Sequence, residues 1–291
     1  MFTFLGIIFA LSALLCWGFG DFLIQKSARK IGDWESIFII SLSGSIILLP
    51  FIFSDINYLL QLNTGEILAL ILVGISFFLS AIINIEALKK GKLSVIEAVG
   101  AIEIPVAGIL AFLFLGQYLI PYHWIFVIVL LIGIFLVSLK PHHFKRETWI
   151  EKGALLALFG GLIMGTTDFM VGYSSKITNP VITVWFFNIL MLAISLTYLS
   201  TSGRIKHFWK DLKVNKKLML SIGILDNVAW LSFALATNYL PIVIALVLSE
   251  SYIILATLLG VTVNKEKLTN YQIVGIILSL FGVIVLSYIY A

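Results

Sequence analysis

Five carboxyl groups in this 291-residue chain stand inside long apolar runs, where such groups are rare: Asp21, Glu103, Asp168, Asp226 and Glu250. A charged side chain at the centre of a bilayer costs roughly 2.5–3.5 kcal/mol, so five facing lipid would cost on the order of 15 kcal/mol. That is comparable to the stability of a whole domain. They are therefore expected to face the interior. A carboxyl group in low dielectric favours its neutral form, can exchange a proton near neutral pH, and can pair with a cationic group. Glu103 and Glu250, each near the middle of its run, are expected to carry a coupling proton or to bind the amino group of a cationic or zwitterionic substrate. The alternative for each is a permanently protonated glutamate bonded to a backbone carbonyl.

Other residues fall around these acids by helical spacing. Trp17, Gly18, Asp21 and Gln25 share one stripe, and Gly161, Gly165, Asp168 and Gly172 share another. Glycines on such stripes let helix backbones approach closely, so both stripes also read as packing seams. Trp230 and Tyr252 could line a cavity for an organic substrate, and Asn188 and Asn227 are polar enough for its wall, although Asn227 equally suits a bridge between helices. Glu97 lies six residues before Glu103, about 120° away around a regular helix, and is expected to do a separate job. Glu86, beside Lys89 and Lys90, reads as an interfacial ion pair. The four histidines lack metal-ligand spacing. No phosphate-binding loop is present, so no metal or other cofactor is expected.

The elements that must hold these groups follow from composition. The chain is 60% hydrophobic and 12% charged, with a mean hydropathy of +1.09; a soluble domain carries about a quarter charged residues. Apolar runs at roughly 2–25, 35–53, 66–88, 93–115, 122–139, 152–175, 180–200, 218–238, 241–263 and 270–290 are each long enough to cross a bilayer as a helix. The expected class is an all-α integral membrane protein with ten transmembrane helices, located in the cell membrane. A β-barrel would show alternating runs of about 10 residues, and the connections are too short for a soluble domain. The first run lacks a preceding basic residue and a cleavage pattern, so it reads as a retained helix. Alternate loops hold 18 of the 19 Lys and Arg residues and the others hold only Lys176. Basic loops stay cytoplasmic, which places both termini outside and assigns the +4 net charge to orientation instead of nucleic acid. Trp34, Trp124, Trp149 and Trp209 fall near span ends, as interfacial anchors do.

A shift of 147 residues superposes Gly18-Phe19-Gly20-Asp21-Phe22 on Gly165-Thr166-Thr167-Asp168-Phe169, and Glu103 on Glu250. Eight of the 22 positions from Gly6 to Ser27 are identical under it. The chain therefore divides into two five-helix units, 1–145 and 146–291. With an odd number of spans in each, the second enters the membrane from the opposite side, giving a five-plus-five inverted-topology repeat.

Together with Trp17-Gly18, Ile104-Pro105, and Lys265-Glu266-Lys267-Leu268 followed by Gln272 and Gly275, this organisation resembles the EamA branch of the drug/metabolite transporter superfamily. The resemblance covers essentially the whole chain. It implies secondary transport of small metabolites, often amino acids or related compounds. Gln117 departs from the glutamate usual after span 4, span 2 lacks the arginine of many members, and the loop charges oppose the cytoplasmic termini of many members.

The expected function is alternating-access transport of a small polar metabolite, an amino acid or related compound or a drug-like amine, driven by protons or by exchange. A flippase for lipid headgroups or lipid-linked sugars on the same architecture is the alternative. An enzyme lacks a recognisable nucleophile, base and metal constellation, and a channel would be marked by high flux. Expected partners are the small-molecule substrate and membrane lipid, with no nucleic acid; a homodimer is left open.

Overall fold

The computed structural model describes residues 2–54, 56–116, 125–126, 128–129, 132–133, 136 and 152–290. The expected fifth span, 122–139, falls largely outside the described residues, as do Trp124, Trp149 and Gln117. The first unit contains α1 (Phe2–Lys30), α2 (Asp33–Ser54), the short α3 (Ile56–Leu59), α4 (Thr64–Lys90), α5 (Leu93–Gly100) and α6 (Glu103–Leu115). The second contains α7 (Ala154–Ile177), α8 (Pro180–Thr201), α9 (Ile205–Val214), α10 (Lys216–Tyr239), α11 (Ile242–Glu250), α12 (Tyr252–Thr262) and α13 (Asn270–Tyr290). Among the described residues, eight helical stretches are long and apolar enough to cross a membrane, with α5–α6 and α11–α12 each counting as one.

The helix ends follow local chemistry. Asn63 accepts from the Glu66 backbone N–H at 3.0 Å while the Glu66 carboxylate accepts from the Asn63 N–H at 2.8 Å, a reciprocal cap that starts α4. Asn179 caps α8 through the Val181 N–H, with Pro180 in the first turn, where its missing N–H costs nothing.

Two spans that sequence predicts as continuous helices are interrupted near their centres. Between α5 and α6 the chain turns at Ala101 and Ile102. Pro105 has no N–H for the Ala101 carbonyl, which accepts from Ile104 in a tighter turn at 3.2 Å. Between α11 and α12 the break falls at Ser251, whose hydroxyl donates to the Val247 carbonyl at 3.1 Å and whose own carbonyl accepts from Ile254 at 3.2 Å. Glu103 opens α6 and Glu250 closes α11, so each break presents one of the two midspan glutamates.

The units meet in antiparallel pairs. Along α1 and α10, Gly6 lies against Leu240, Ser12 receives a hydrogen bond from Ser232, and Trp17 contacts Trp230. Along α4 and α7, Asn84 lies against Gly160 and Ser80 donates to the Met164 sulfur. Helices α2 and α8 run past each other with Trp34 stacked on Tyr198 at 3.9 Å and the Trp185 indole donating to the Ser45 carbonyl.

The glycine stripe of α7 seats the broken span. A Cβ on Gly161 would stand 2.8 Å from the Gly100 carbonyl oxygen, and one on Gly165 would stand 2.7 Å from the Val106 Cβ. Gly165→Ala is therefore expected to destabilise the protein by about 1–3 kcal/mol through overpacking. Thermal unfolding in detergent measures this; an unshifted midpoint would show that the seam has room.

Candidate functional site

A cavity of about 110 Å³ lies between the units, large enough for several waters. Six carboxyl-bearing residues line it: Asp21, Glu97, Glu103, Asp168, Asp226 and Glu250. No Lys, Arg or His is among its lining residues. Trp17, Trp230 and Tyr252 also face it, so eight of the ten site residues expected from sequence converge on one chamber.

Each acid is held by a distinct feature of the fold. Asp21 and Asp168 occupy equivalent turns of α1 and α7, one turn beyond Trp17 and Met164, which line the cavity as another equivalent pair. Glu103 and Glu250 come from the two helix breaks and lie within hydrogen-bonding reach of each other. Two adjacent carboxylates repel unless a proton or a cationic group lies between them. Irregular backbone at membrane depth is tolerated where it lines such a chamber, which accounts for both breaks being here.

Asn188 and Asn227 are not among the lining residues. The Asn188 side-chain amide donates to the Asn227 Oδ1 at 2.8 Å, and the Asn227 amide donates to the Ile40 carbonyl at 2.9 Å and to the Gly223 carbonyl at 2.8 Å. The pair ties α2, α8 and α10 together. Asn227→Leu leaves Asn188 and the Ile40 carbonyl without these partners and is expected to cost about 1–3 kcal/mol. Chemical denaturation would measure that loss, and an unchanged midpoint would contradict the bridge.

Glu97 is the residue the sequence misplaced. The expected rotation of about 120° from Glu103 assumes a regular helix, but the turn at Ala101 and Ile102 brings both acids to the same cavity. The Tyr252 hydroxyl donates to Glu97 Oε2 at 2.7 Å. Pro105 is the sequence signal that marks the break. Glu86, by contrast, is the ion pair its spacing predicts, 2.7 Å from Lys90, and Lys89 also reaches Asp33 at 3.0 Å.

The cavity occupies the half of the bundle nearer the basic loops, where Ile37, Ile85, Leu88 and Ile96 form its walls. Aromatic rings fill the space on its other side: Phe77 stacks on Phe187 at 4.1 Å and meets Trp230 edge-on at 4.7 Å. On the basic face a polar network joins the units. Gln25 donates to the Leu88 carbonyl at 2.9 Å, and Asn264 donates to the Gln25 Oε1 at 2.9 Å. The Glu266 carboxylate accepts from the backbone N–H groups of Leu93 and Ser94 at 2.8 and 3.2 Å and from the Ser94 hydroxyl at 2.5 Å. This caps α5 from the opposite unit, close to where a helix N-terminus favours negative charge.

Residues 4–139 and 151–288 both match the model of the EamA-like transporter family. No curated protein matches the chain. One solved crystal structure superposes with a TM-score of 0.71 at 14% identity, covering 98% of this chain and 97% of that one, a likeness of fold alone. The two family matches and the apolar helices are those of a multi-pass membrane protein of a transporter family, not of an enzyme family, and the chain belongs to the EamA-like transporter family of the drug/metabolite transporter superfamily.

Proposed function

We propose that the protein is a secondary transporter of small metabolites bearing a protonated amino group, exchanged against protons at Glu103 and Glu250. The observation that carries this is the convergence of six carboxyl groups, without a basic residue among the lining residues, on one chamber between the units. Such a site repels anions and leaves a cation or bound protons as the compatible occupants. Trp17, Trp230 and Tyr252 supply ring faces that attract an organic ammonium group.

In this reading the units are inverted repeats, 1–145 and 146–291, with ten spans in all and the fifth at 122–139. Reciprocal packing supports the twofold: α1 against α10 exchanges with α4 against α7 when the units are interchanged. The register agrees, because Ser12 with Ser232 becomes Phe159 with Ile85 under the 147-residue shift, next to the observed contact of Gly160 with Asn84. Inverted units supply two arrangements of similar energy, one open to each side, which is the basis of alternating access. The loop charges put the basic face and the cavity half nearest it toward the cytoplasm of a cell membrane, with both termini outside.

The test is uptake by protein reconstituted into vesicles under an imposed pH gradient, with protein-free vesicles controlling for passive entry of free amines. Gradient-driven uptake of amine-bearing metabolites, at least tenfold above the control, is expected. Uptake confined to sugars or anions, or uptake indifferent to both proton gradient and counter-substrate, would overturn the proposal.

A further inference from the structure

We propose that the chamber binds an organic dication of the α,ω-diamine class, one ammonium group at each of two acidic poles. The inference rests on the amine-transport reading and narrows its substrate. One pole is the pair Glu103 and Glu250, with Asp168 beside it. The other is Glu97 with Tyr252 and Asp21. The Tyr252 hydroxyl donates to Glu97 Oε2 at 2.7 Å, and Asp21 lines the same cavity.

Both poles hold acceptor atoms without a hydrogen-bond partner among the described residues. Among the described residues, Glu97 Oε1, Asp168 Oδ2 and Glu250 Oε2 are buried without a hydrogen-bond partner, in side chains of residues 7%, 2% and 4% exposed. A buried charged or polar atom left unpaired is costly, so these atoms mark where a ligand's donors belong. All three residues line the same cavity. Glu97 stands in α5 and Glu103 opens α6, with the turn at Ala101 and Ile102 between them, so the two acids approach the cavity from different helices. Two acidic poles carried by separate helices suit ammonium groups at either end of a short alkylene chain. Trp17 lines the same cavity, meeting Trp230 at 5.0 Å and Tyr252 at 6.0 Å between ring centroids, and its apolar faces can cover the methylenes.

The Glu97 and Tyr252 pair of the second pole has no counterpart in the other unit. Under the 147-residue shift Glu97 corresponds to Ile244 and Tyr252 to Pro105, whereas Glu103 pairs with Glu250 and Asp21 with Asp168. A proton pathway built only on the symmetric acids has no use for a buried carboxylate with a tyrosine donor at this position. The titratable groups around Glu97 are Asp21 from α1, Tyr252 from α12, Glu103 from α6, Glu250 from α11 and Glu266. None offers a positive charge to balance it, and a second ammonium group would.

The experiment compares 1,5-diaminopentane with pentylamine, equal in chain length and different by one charge. Calorimetry on the purified full-length protein reads affinity, and a pH-sensitive dye in weak buffer reads proton release. The diamine is expected to bind at least tenfold more tightly and to release two protons against one for the monoamine. In Glu97→Gln the affinity ratio is expected to fall toward unity, while Glu97→Asp, which keeps the charge, preserves a preference. Equal affinity and equal proton release for both amines in the unaltered protein would overturn the diamine assignment and leave the amine-transport reading intact. Binding of neither amine would overturn both. If Glu97→Gln fails to fold, the comparison in the unaltered protein and in Glu97→Asp still decides.

Discussion

Glu103→Gln and Glu250→Gln are each expected to lower pH-gradient-driven uptake by about 100-fold or more, while leaving the protein folded. Glutamine keeps the volume and most of the hydrogen-bonding capacity of glutamate but cannot ionise. What it removes is the ability to trade a proton for a cation at the point where the two broken spans meet. Because the two carboxyl groups face each other, they act as a unit, and the double variant is expected to lose little more than either single one. Counterflow measurements separate the roles: a variant that still exchanges labelled for unlabelled amine but ignores the pH gradient has lost only proton coupling. Uptake, pH dependence and affinity all unchanged in both variants would remove the pair from the mechanism.

Trp17→Ala should be the most damaging single truncation near the chamber. Trp17 is 5% exposed and touches Trp230, Phe233 and Tyr252, with ring centroids 5.0, 5.7 and 6.0 Å away. Emptying such a site costs about 3–5 kcal/mol. For a chain of this size that lowers the unfolding temperature by on the order of 10 °C. The same cavity would loosen the aromatic block that closes the far side of the chamber, so affinity for amines should fall as well. Trp17→Phe restores most of the packing and is expected to recover most of the stability. A Trp17→Ala protein with unaltered unfolding temperature would show that the aromatic block neither packs nor closes as described.

Much of this organisation is legible in the sequence because lipid is an unforgiving solvent. Carboxyl groups inside apolar runs must face inward, and Asp21, Glu103, Asp168, Asp226 and Glu250 all line the cavity. The 147-residue shift pairs Trp17 with Met164, Asp21 with Asp168 and Glu103 with Glu250, and each of these residues lines the chamber.

Glu97 was not legible because helical periodicity holds only while the helix does. Pro105 breaks the hydrogen-bond ladder at Ala101, and beyond that point the angular bookkeeping restarts. The bridging role of Asn188 depends on which helices become neighbours, and no local pattern states that α2, α8 and α10 meet there. The same holds for the network of Gln25, Asn264 and Glu266. Glu266 caps a helix more than 170 residues away in sequence, and only the folded chain brings its carboxylate to Ser94.

The central claim is that these acids form one chamber reached by an organic cation, and carbodiimide labelling with peptide mass spectrometry tests it most directly. A hydrophobic carbodiimide reacts with protonated carboxyl groups in apolar surroundings. It is predicted to modify Glu103 or Glu250 in the folded protein, with at least tenfold protection by a bound amine and none by a neutral sugar. Labelling confined to loop acids, or labelling of the two glutamates that no amine suppresses, would contradict the account.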